Sequence, residues 1–180
     1  MTAPPVLVAV MGVSGCGKST VARALADALD MVMVEADDYH GEDNIAQMAR
    51  GEPLTDAQRG PWMDSLCAAL KSKLDAGQDC ALAFSGLRRI HRDRVRALGY
   101  PVLYLHLEGE PAVIAARMAS RTGHFMPPGM LASQCRDLEP TDGEADVQHI
   151  RVDTTVEQVT DEALQAAKQF LRANDRRREQ

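Results

Sequence analysis

The residues best suited to chemistry form a glycine-rich stretch near the start of the chain. Gly12 and the triplet Gly17-Lys18-Ser19 fit the pattern G-x-x-x-x-G-K-[ST] at every fixed position. In this pattern the glycines let successive backbone N–H groups point at one spot, where they can bind a phosphate. The lysine adds a positive charge, and the serine hydroxyl can ligate Mg²⁺. The spacing predicts a phosphate-binding loop, or P-loop, rather than an ordinary glycine-rich turn.

The segments on either side of the loop have the periodicity of a strand and a helix. Val6–Met11 fits a buried parallel strand, and apolar residues of Lys18–Leu29 recur every three to four positions. The helix would direct its positive N-terminal end at a bound phosphate. The residues that this arrangement assigns to nucleotide binding are Gly12, Val13, Ser14, Gly15, Cys16, Gly17, Lys18, Ser19 and Thr20.

Ionisable side chains follow two further apolar runs. Met31–Val34 leads directly into Glu35-Ala36-Asp37-Asp38-Tyr39-His40, and Cys80–Phe84 is followed closely by Arg88 and Arg89. In parallel α/β sheets, ligands bind beyond the carboxyl ends of the strands, so both groups should face the P-loop. A solvated loop is the alternative for the acids, and the polar face of a helix is the alternative for the arginines. Arginine is suited to an anionic partner.

Composition narrows the class of protein. The chain has 180 residues, of which 45% are hydrophobic, so we expect one folded domain over residues 1–180. The net charge of −6 disfavours a nucleic-acid partner. No apolar run approaches the roughly 20 residues that span a bilayer, and the first residues do not resemble a signal peptide. The four cysteines lack metal-binding spacing and are interpreted as reduced thiols of a cytoplasmic protein.

The remaining elements alternate between strands and helices. Short apolar runs at Pro101–Leu107 and His149–Val152 complete five predicted strands. Capping patterns predict helices that begin after Thr55, with Gln58, and after Thr155, with Gln158. This alternation predicts an α/β fold with a parallel sheet covered by helices on both faces. The second capped helix is expected to end near Arg172, to place Val156 on its inner face, and to leave residues 174–180 as a frayed tail.

Several local stretches together resemble one family, the gluconate kinases (gluconokinases) of the P-loop kinase group. The P-loop alone is common to many nucleotide hydrolases, whereas the block around Glu52–Asp56 and the segment Gly123-His124-Phe125 are more specific. The matching stretches are Met11–Ser19, Ala36–His40, Gly51–Asp56 with Arg59 and Pro61-Trp62, Arg92-Asp93, Gly123–Pro128 and Leu138–Pro140.

The resemblance implies a fold, a reaction and an assembly. The fold is the three-layer P-loop nucleotide-kinase-like fold, with a five-stranded parallel sheet of order 2-3-1-4-5 and a lid at about residues 117–136. The reaction is transfer of the γ-phosphoryl group of ATP, with Mg²⁺, to the 6-hydroxyl of D-gluconate, which gives 6-phospho-D-gluconate. The assembly is a homodimer that acts on a small-molecule substrate. The net charge and the lack of a long apolar run, noted above, argue against nucleic-acid and membrane partners.

Phosphoryl transfer requires positioning and charge neutralisation more than covalent chemistry. We interpret Lys18 and Asp37 as catalytic, because Lys18 can hold the phosphates and Asp37 can orient the acceptor hydroxyl and take its proton. Asp38 is the alternative base. Ser19 is expected to bind Mg²⁺, and Glu35, which shares one side of an extended chain with Asp37, to contact the metal through water.

Gluconate carries one carboxylate and a row of hydroxyls, so its site should combine a fork-like cation with polar acceptors. Arg59 and Arg88 are the candidates for the carboxylate, and His40 and His124 for the hydroxyls. With Asp37, these residues form the expected acceptor site.

The lid is expected to contribute cations and to cover the site. Arg117 and Arg121 lie four residues apart on one helix face, where they can stack on adenine or meet transition-state charge. Residues 122–129 are rich in glycine and proline, and we expect a flap that excludes water. Asp153–Val156 is expected to border the adenine.

Residues 84–91 depart from the common family pattern next to the expected acceptor site, and Glu35, Gly41 and residues 135–137 also depart from that pattern. Other functions therefore stay open. The chain can be a kinase for another aldonic acid, shikimate or a nucleoside monophosphate, or a non-catalytic nucleotide-binding switch, or an inactive relative. The sequence has no Asn-Lys-x-Asp guanine motif, which argues against a switch, and the intact P-loop argues against an inactive relative.

Overall fold

The predicted strands pair in parallel and form one five-stranded sheet of order β2-β3-β1-β4-β5, which confirms the expected order. The computed structural model describes residues 4–120 and 128–176. β1 occupies the centre of the sheet and is buried along its whole length, as expected of a strand covered on both faces. The strands are β1 (Leu7–Met11), β2 (Val32–Glu35), β3 (Cys80–Ala83), β4 (Val102–Glu108) and β5 (Val147–Arg151).

Helices connect these strands and cover the sheet. Thr55 caps its helix as predicted, since its side chain accepts from the backbone N–H of Gln58, whose side chain accepts from the N–H of Thr55. The same pair of hydrogen bonds joins Thr155 and Gln158. A short 3-10 turn, Ala36–Tyr39, follows β2. The helices are α1 (Lys18–Leu29), α2 (Glu42–Ala49), α3 (Asp56–Asp75), α4 (Arg89–Arg96), α5 (Pro111–Ala119), α6 (Pro128–Asp137) and α7 (Val156–Arg176).

Two apolar cores lie on opposite faces of the sheet. On one face, α1 and α7 pack against the strands through residues such as Val21 and Leu25. On the other face, α3 buries the side chains of Trp62, Leu66 and Leu70, which recur every four residues. The sheet and these helices form the three predicted layers, and they hold the carboxyl ends of the strands at one edge.

The predicted frayed tail at residues 174–180 is wrong for its first part. Helix α7 continues to Arg176, about one turn beyond the expected end. Asn174 is buried, and its Nδ2 donates to the backbone oxygen of Phe170 at 2.9 Å. This contact fixes the last turn of the helix, whereas residues 177–180 lie outside the described part of the chain.

Two further predictions concern the membrane and the cysteines. Within the described residues, no helix combines the length and the apolar character needed to cross a bilayer. The four cysteines are free, as expected. Burial raises the pKa of the Cys16 thiol inside the P-loop, so this side chain stays protonated and packs as a small apolar group.

Candidate active site

The P-loop begins where β1 ends and closes at the first turn of α1, as predicted. Gly12 has φ 142°, and a Cβ added there would lie 2.6 Å from the backbone oxygen of Leu107 on β4. Gly15 has φ 81°, and a Cβ there would lie 2.3 Å from Cγ of Met118 on α5. Glycine is therefore required at both positions by backbone conformation and by space.

Lys18 and Ser19 carry the polar side chains at the end of the loop. Lys18 Nζ donates to the backbone oxygen of Val13 at 3.0 Å, so the ammonium lies over the loop. Ser19 Oγ donates to Oε2 of Glu35, at the end of β2, at 2.6 Å. Burial raises the pKa of Glu35, and the hydrogen bond from Ser19 opposes that shift. The structure thus brings together the two residues predicted to contact a metal.

A first cleft, about 320 Å³ in volume, opens on the side of the loop that faces α5 and α7. Arg117 borders it and donates from Nη2 to the backbone oxygen of Thr154 at 2.6 Å. Val156 is 49% exposed at its mouth, so the prediction that this side chain lies on the inner face of α7 is wrong. The lining residues are Gly15, Cys16, Gly17, Thr20, Val21, Arg117, Ser120, Thr154, Thr155, Val156 and Val159.

A second cleft lies on the opposite side of the P-loop, below α6. Lys18 and Asp37 both line it, and the Asp37 side chain is 73% exposed. Asp38 lines neither cleft. The other lining residues are Ser14, His40, Met48, Pro53, Leu54, Arg59, Trp62, Ser85, Leu87, Met130, Ser133, Gln134 and Asp137. The P-loop therefore separates two clefts, and the predicted catalytic pair belongs to the second.

His40 is held at the wall of the second cleft by an aromatic neighbour. Its ring stacks on Trp62 at a centroid distance of 4.5 Å, and the indole N–H of Trp62 donates to the backbone oxygen of Ala36 at 2.7 Å. Burial lowers the pKa of His40, so the ring is neutral near pH 7. Among the described residues, His40 Nδ1 and Arg88 Nε are the buried side-chain nitrogens that lack a hydrogen-bond partner. His40 Nδ1 is therefore an unpaired, buried nitrogen in the wall of the second cleft.

Arg59 and Arg88, the predicted carboxylate-binding residues, are paired with two acids. Arg59 lies 3.4 Å from an oxygen of Asp56 and 3.0 Å from an oxygen of Asp137. Arg88 contacts the same carboxylates at 3.0 and 3.5 Å. We call these residues the four-charge cluster, and their formal charges sum to zero. Arg59 and Asp137 line the second cleft, whereas Arg88 does not line it and reaches it only through its contact with Asp137.

Gln134 on α6 contacts the P-loop directly, which the sequence did not indicate. The backbone N–H of Ser14 donates to Oε1 of Gln134 at 2.5 Å. The two residues are 120 positions apart, so no local pattern could have paired them. This bond places α6 over the second cleft.

Arg92 fixes the turn that follows β3, a role that the sequence also left unassigned. The side chain is fully buried. Its Nη1 donates to the backbone oxygens of Gly86 and Leu87 at 2.7 and 3.2 Å, and its Nε and Nη2 donate to Glu144 at 3.1 and 2.5 Å. Arg92 thereby joins the turn that carries Ser85 and Leu87 of the second cleft to the loop at residues 139–144.

Of the remaining candidates that the structure describes, Arg89 lines neither cleft. The Arg89 side chain is exposed, and its Nε lies 3.7 Å from Oδ2 of Asp93, one turn along the same helix. Its charge therefore forms an ion pair within α4. Arg121 and His124, with most of the expected flap, lie outside the described residues.

Comparisons with known proteins identify relatives along most of this chain. The family described as an AAA domain matches residues 7–141. A protein of Gluconobacter oxydans named gluconokinase is 40% identical over 78% of this chain and 79% of its own length. One of Rattus norvegicus, named "Probable gluconokinase", is 39% identical over 93% of this chain and 100% of its length. The crystal structure of a gluconokinase from Sinorhizobium meliloti 1021 superposes with a TM-score of 0.82 at 35% identity and covers 97% of each chain. A P-loop between two clefts, the predicted sheet order and these relatives lead to one conclusion, that the chain belongs to the gluconokinase family of P-loop kinases.

Proposed function

We propose that this protein transfers the γ-phosphoryl group of ATP to the 6-hydroxyl of D-gluconate, giving ADP and 6-phospho-D-gluconate. The observation that carries the proposal is the P-loop between two clefts, with Lys18 and Asp37 both lining the second. One cleft takes the nucleoside and the other takes the acceptor, so the phosphoryl group crosses the loop beside Lys18. The names of the relatives support gluconate as the acceptor.

The donor half of the proposal assigns ATP to the P-loop and the first cleft. The backbone N–H groups of residues 12–20 and the Lys18 ammonium bind the phosphates. Of the predicted range 153–156, Thr154, Thr155 and Val156 line this cleft and border the adenine. Arg117, with Arg121 beyond the described residues, stacks on the base or meets transition-state charge. The position of that cleft at the N-terminus of α1 supports these assignments, and the family resemblance supports the role of Arg121.

Ser19 and Glu35 would hold Mg²⁺. Their oxygens lie 2.6 Å apart, and hydroxyl and carboxylate oxygens are the ligands that this ion takes in proteins. When bound, the ion would neutralise charge on the outer phosphate oxygens. Glu35 reaches the loop because β2 ends beside it, which keeps its carboxylate near Ser19.

The acceptor half assigns gluconate to the second cleft. Asp37 accepts the proton of the attacking hydroxyl, since its exposed carboxylate faces the cleft beside Lys18. The His40 ring, which is neutral and lines the same cleft, bonds another hydroxyl. Arg59 binds the gluconate carboxylate, and this contact replaces part of its pairing with Asp56 and Asp137. Arg88 supports that contact through its ion pair with Asp137, and His124 would bond a further hydroxyl.

The four-charge cluster favours an acceptor with a single negative charge. A nucleoside monophosphate brings about −1.5 to −2 charges at neutral pH. The arginines of this site are already neutralised by Asp56 and Asp137, so a second negative charge would meet uncompensated carboxylates. Gluconate, other aldonic acids and shikimate each carry one carboxylate, and a kinase assay distinguishes them.

The test is an acceptor panel with ATP and Mg²⁺ in which ADP release is measured. We expect release to depend on gluconate, with lower kcat/KM for other aldonic acids, shikimate and nucleoside monophosphates. Lys18→Ala should lower turnover by roughly 100-fold or more, whereas Lys71→Ala, at the exposed surface of α3, should not. A higher kcat/KM with another acceptor would replace gluconate, and ADP release unaffected by any acceptor would favour a nucleotide switch.

We also propose that the protein is a cytoplasmic homodimer in which residues 1–180 form one kinase domain with a lid at about 117–136. The support is the family resemblance and the single sheet to which the described strands belong. Light scattering after size-exclusion chromatography should give twice the chain mass of 19.6 kDa. A mass equal to one chain would overturn the dimer.

A further inference from the structure

A second group of ligating side chains lies on β4 and β5, and none of its members lines either cleft. His106 on β4 is paired in register with His149 on β5. Glu108 follows His106 by two residues, so its side chain leaves the same face of the sheet. This is the face covered by α3, which also buries Tyr104. The strand register therefore brings two imidazoles and one carboxylate together.

We propose that His106, Glu108 and His149 bind a divalent transition-metal ion, with Zn²⁺ the ion that their donor set favours. One ligand atom from each residue lies within 4.8 Å of the other two. His149 Nδ1 is 3.0 Å from Glu108 Oε2. Two ligand atoms of a tetrahedral zinc ion, with bonds of about 2.0–2.1 Å, are about 3.4 Å apart. The distance between His149 Nδ1 and Glu108 Oε2 therefore needs to increase only slightly. The ion takes the place of the proton that imidazole and carboxylate share.

Thr141 orients both imidazoles. It is 3% exposed, and its hydroxyl oxygen lies 3.4 Å from His106 Nδ1 and 3.2 Å from His149 Nε2. A hydroxyl oxygen can accept an N–H from each ring, which leaves the lone pair on the other nitrogen of each imidazole. A histidine that binds a metal through one nitrogen commonly donates a hydrogen bond from the other. Such hydrogen bonds hold the imidazole in the orientation that the metal ion requires.

One ligand of the site is buried and the other two are partly exposed to solvent. His106 is 5% exposed, whereas the side chains of His149 and Glu108 are 36% and 35% exposed. The cavity around them is about 500 Å³, and its wall includes Glu139 and Asp142, whose negative charges attract a cation. Three protein ligands leave a fourth position for water, as in open zinc sites.

The donor set separates this site from the oxygen pair at the P-loop. Imidazole nitrogens select zinc over magnesium, whereas hydroxyl and carboxylate oxygens suit magnesium. Zn²⁺ should therefore bind at His106 and His149 in the presence of excess Mg²⁺. Glu35→Gln should leave that binding unchanged, because Glu35 belongs to the other site.

Calorimetric titration of the full chain with ZnCl₂, without nucleotide and with excess MgCl₂, tests the proposal. We expect one equivalent of Zn²⁺ and a loss of affinity of about 100-fold or more in His149→Asn and Glu108→Gln. Glu110→Gln, at an exposed acid two residues further along, is the matched control and should bind like the wild type. Thr141→Val should weaken binding by about tenfold or more.

Titration with CoCl₂ gives a second readout that identifies the ligands. We expect visible absorption of four-coordinate Co²⁺ without the near-ultraviolet band of a thiolate. His106→Asn can unfold the protein because the residue is buried, but His149→Asn changes a partly exposed side chain and keeps the test independent of folding. Wild-type affinity in His149→Asn, a thiolate band, or no zinc binding by the wild type would overturn the proposal.

Discussion

Asp37 and Asp38 are neighbours in the chain, yet only Asp37 lines the second cleft. The 3-10 turn after β2 directs the two side chains differently, and Trp62 holds that turn through the backbone oxygen of Ala36. The sequence predicted the acids at the end of β2 but left the choice between them open. The alternation of a strand predicts side-chain directions only within the strand, and both acids lie in the turn after it. The turn geometry favours Asp37.

Asp37→Asn should lower kcat for gluconate phosphorylation by about 100-fold or more, because the amide cannot accept the hydroxyl proton. Nucleotide affinity, measured by calorimetry, should be retained. Asp38→Asn is the matched control and should keep kcat within a fewfold of the wild type. The opposite pattern would make Asp38 the base.

Arg59→Ala should raise KM for gluconate by roughly tenfold or more, since a charge-assisted hydrogen bond is worth about 1.5–3 kcal/mol. The neighbouring Asp56 and Asp137 then also repel the substrate. Arg94→Ala, which removes an arginine paired with Asp64 outside the cleft, is the control in steady-state assays. A KM effect confined to ATP would place Arg59 on the donor side.

At the scale of elements, the turn after β3 depends on contacts with the distant loop at residues 139–144. Capping boxes and apolar spacing predicted most helices and strands to within about two residues, because those signals are local. The bonds from Arg92 to Gly86 and to Glu144 are not local, since Arg92 and Glu144 are 52 residues apart. The sequence therefore predicted where the turn at residues 84–91 lies, but not the hydrogen bonds that determine its conformation.

Glu144→Gln should lower the free energy of unfolding by about 3 kcal/mol near pH 7, because Arg92 would remain buried without its counter-charge. Burial alone would raise the pKa of Glu144, but the hydrogen bonds from Arg92 and Arg96 outweigh it and the pKa is lowered. A lowered carboxyl pKa contributes stability above the ordinary value of about 4.3 and loses it as pH falls through the folded-state pKa.

Thermal unfolding between pH 7 and pH 3 checks that prediction. The difference in Tm between the wild type and Glu144→Gln should be full near pH 7 and shrink below about pH 4.3. Asp64→Asn, which removes an exposed partner of Arg94, should change Tm little at either pH. A constant difference across the range would mean that the ionised carboxylate is not the stabilising group.

At the scale of the whole molecule, the sheet order and the three layers could be expected from the sequence because the family resemblance supplies the topology. The contact between Gln134 and Ser14 could not, since it joins α6 to the P-loop across 120 residues. It means that α6 and a ligand compete for the same backbone N–H group. A ligand that binds Ser14 N–H must first displace the Gln134 side chain.

Gln134→Ala should therefore increase the affinity for ATP by about fivefold, the equivalent of the roughly 1 kcal/mol net value of one hydrogen bond. Ser133→Ala, on the same helix and lining the same cleft, is the control. Calorimetric titration with a non-hydrolysable ATP analogue measures the change. Unchanged or weaker binding by Gln134→Ala would show that the contact does not oppose the nucleotide.

The four-charge cluster also determines how an anion arrives at the second cleft. Its two arginines are neutralised by Asp56 and Asp137, and the chain as a whole carries a net charge of −6. Long-range attraction toward an anion is therefore weak, and under the proposed function recognition begins when the acceptor carboxylate contacts Arg59. The net negative charge repels an anionic acceptor, and added salt screens that repulsion because the Debye length at physiological ionic strength is about 8 Å. The rate of acceptor capture, measured by stopped flow, should therefore not fall as the ionic strength rises.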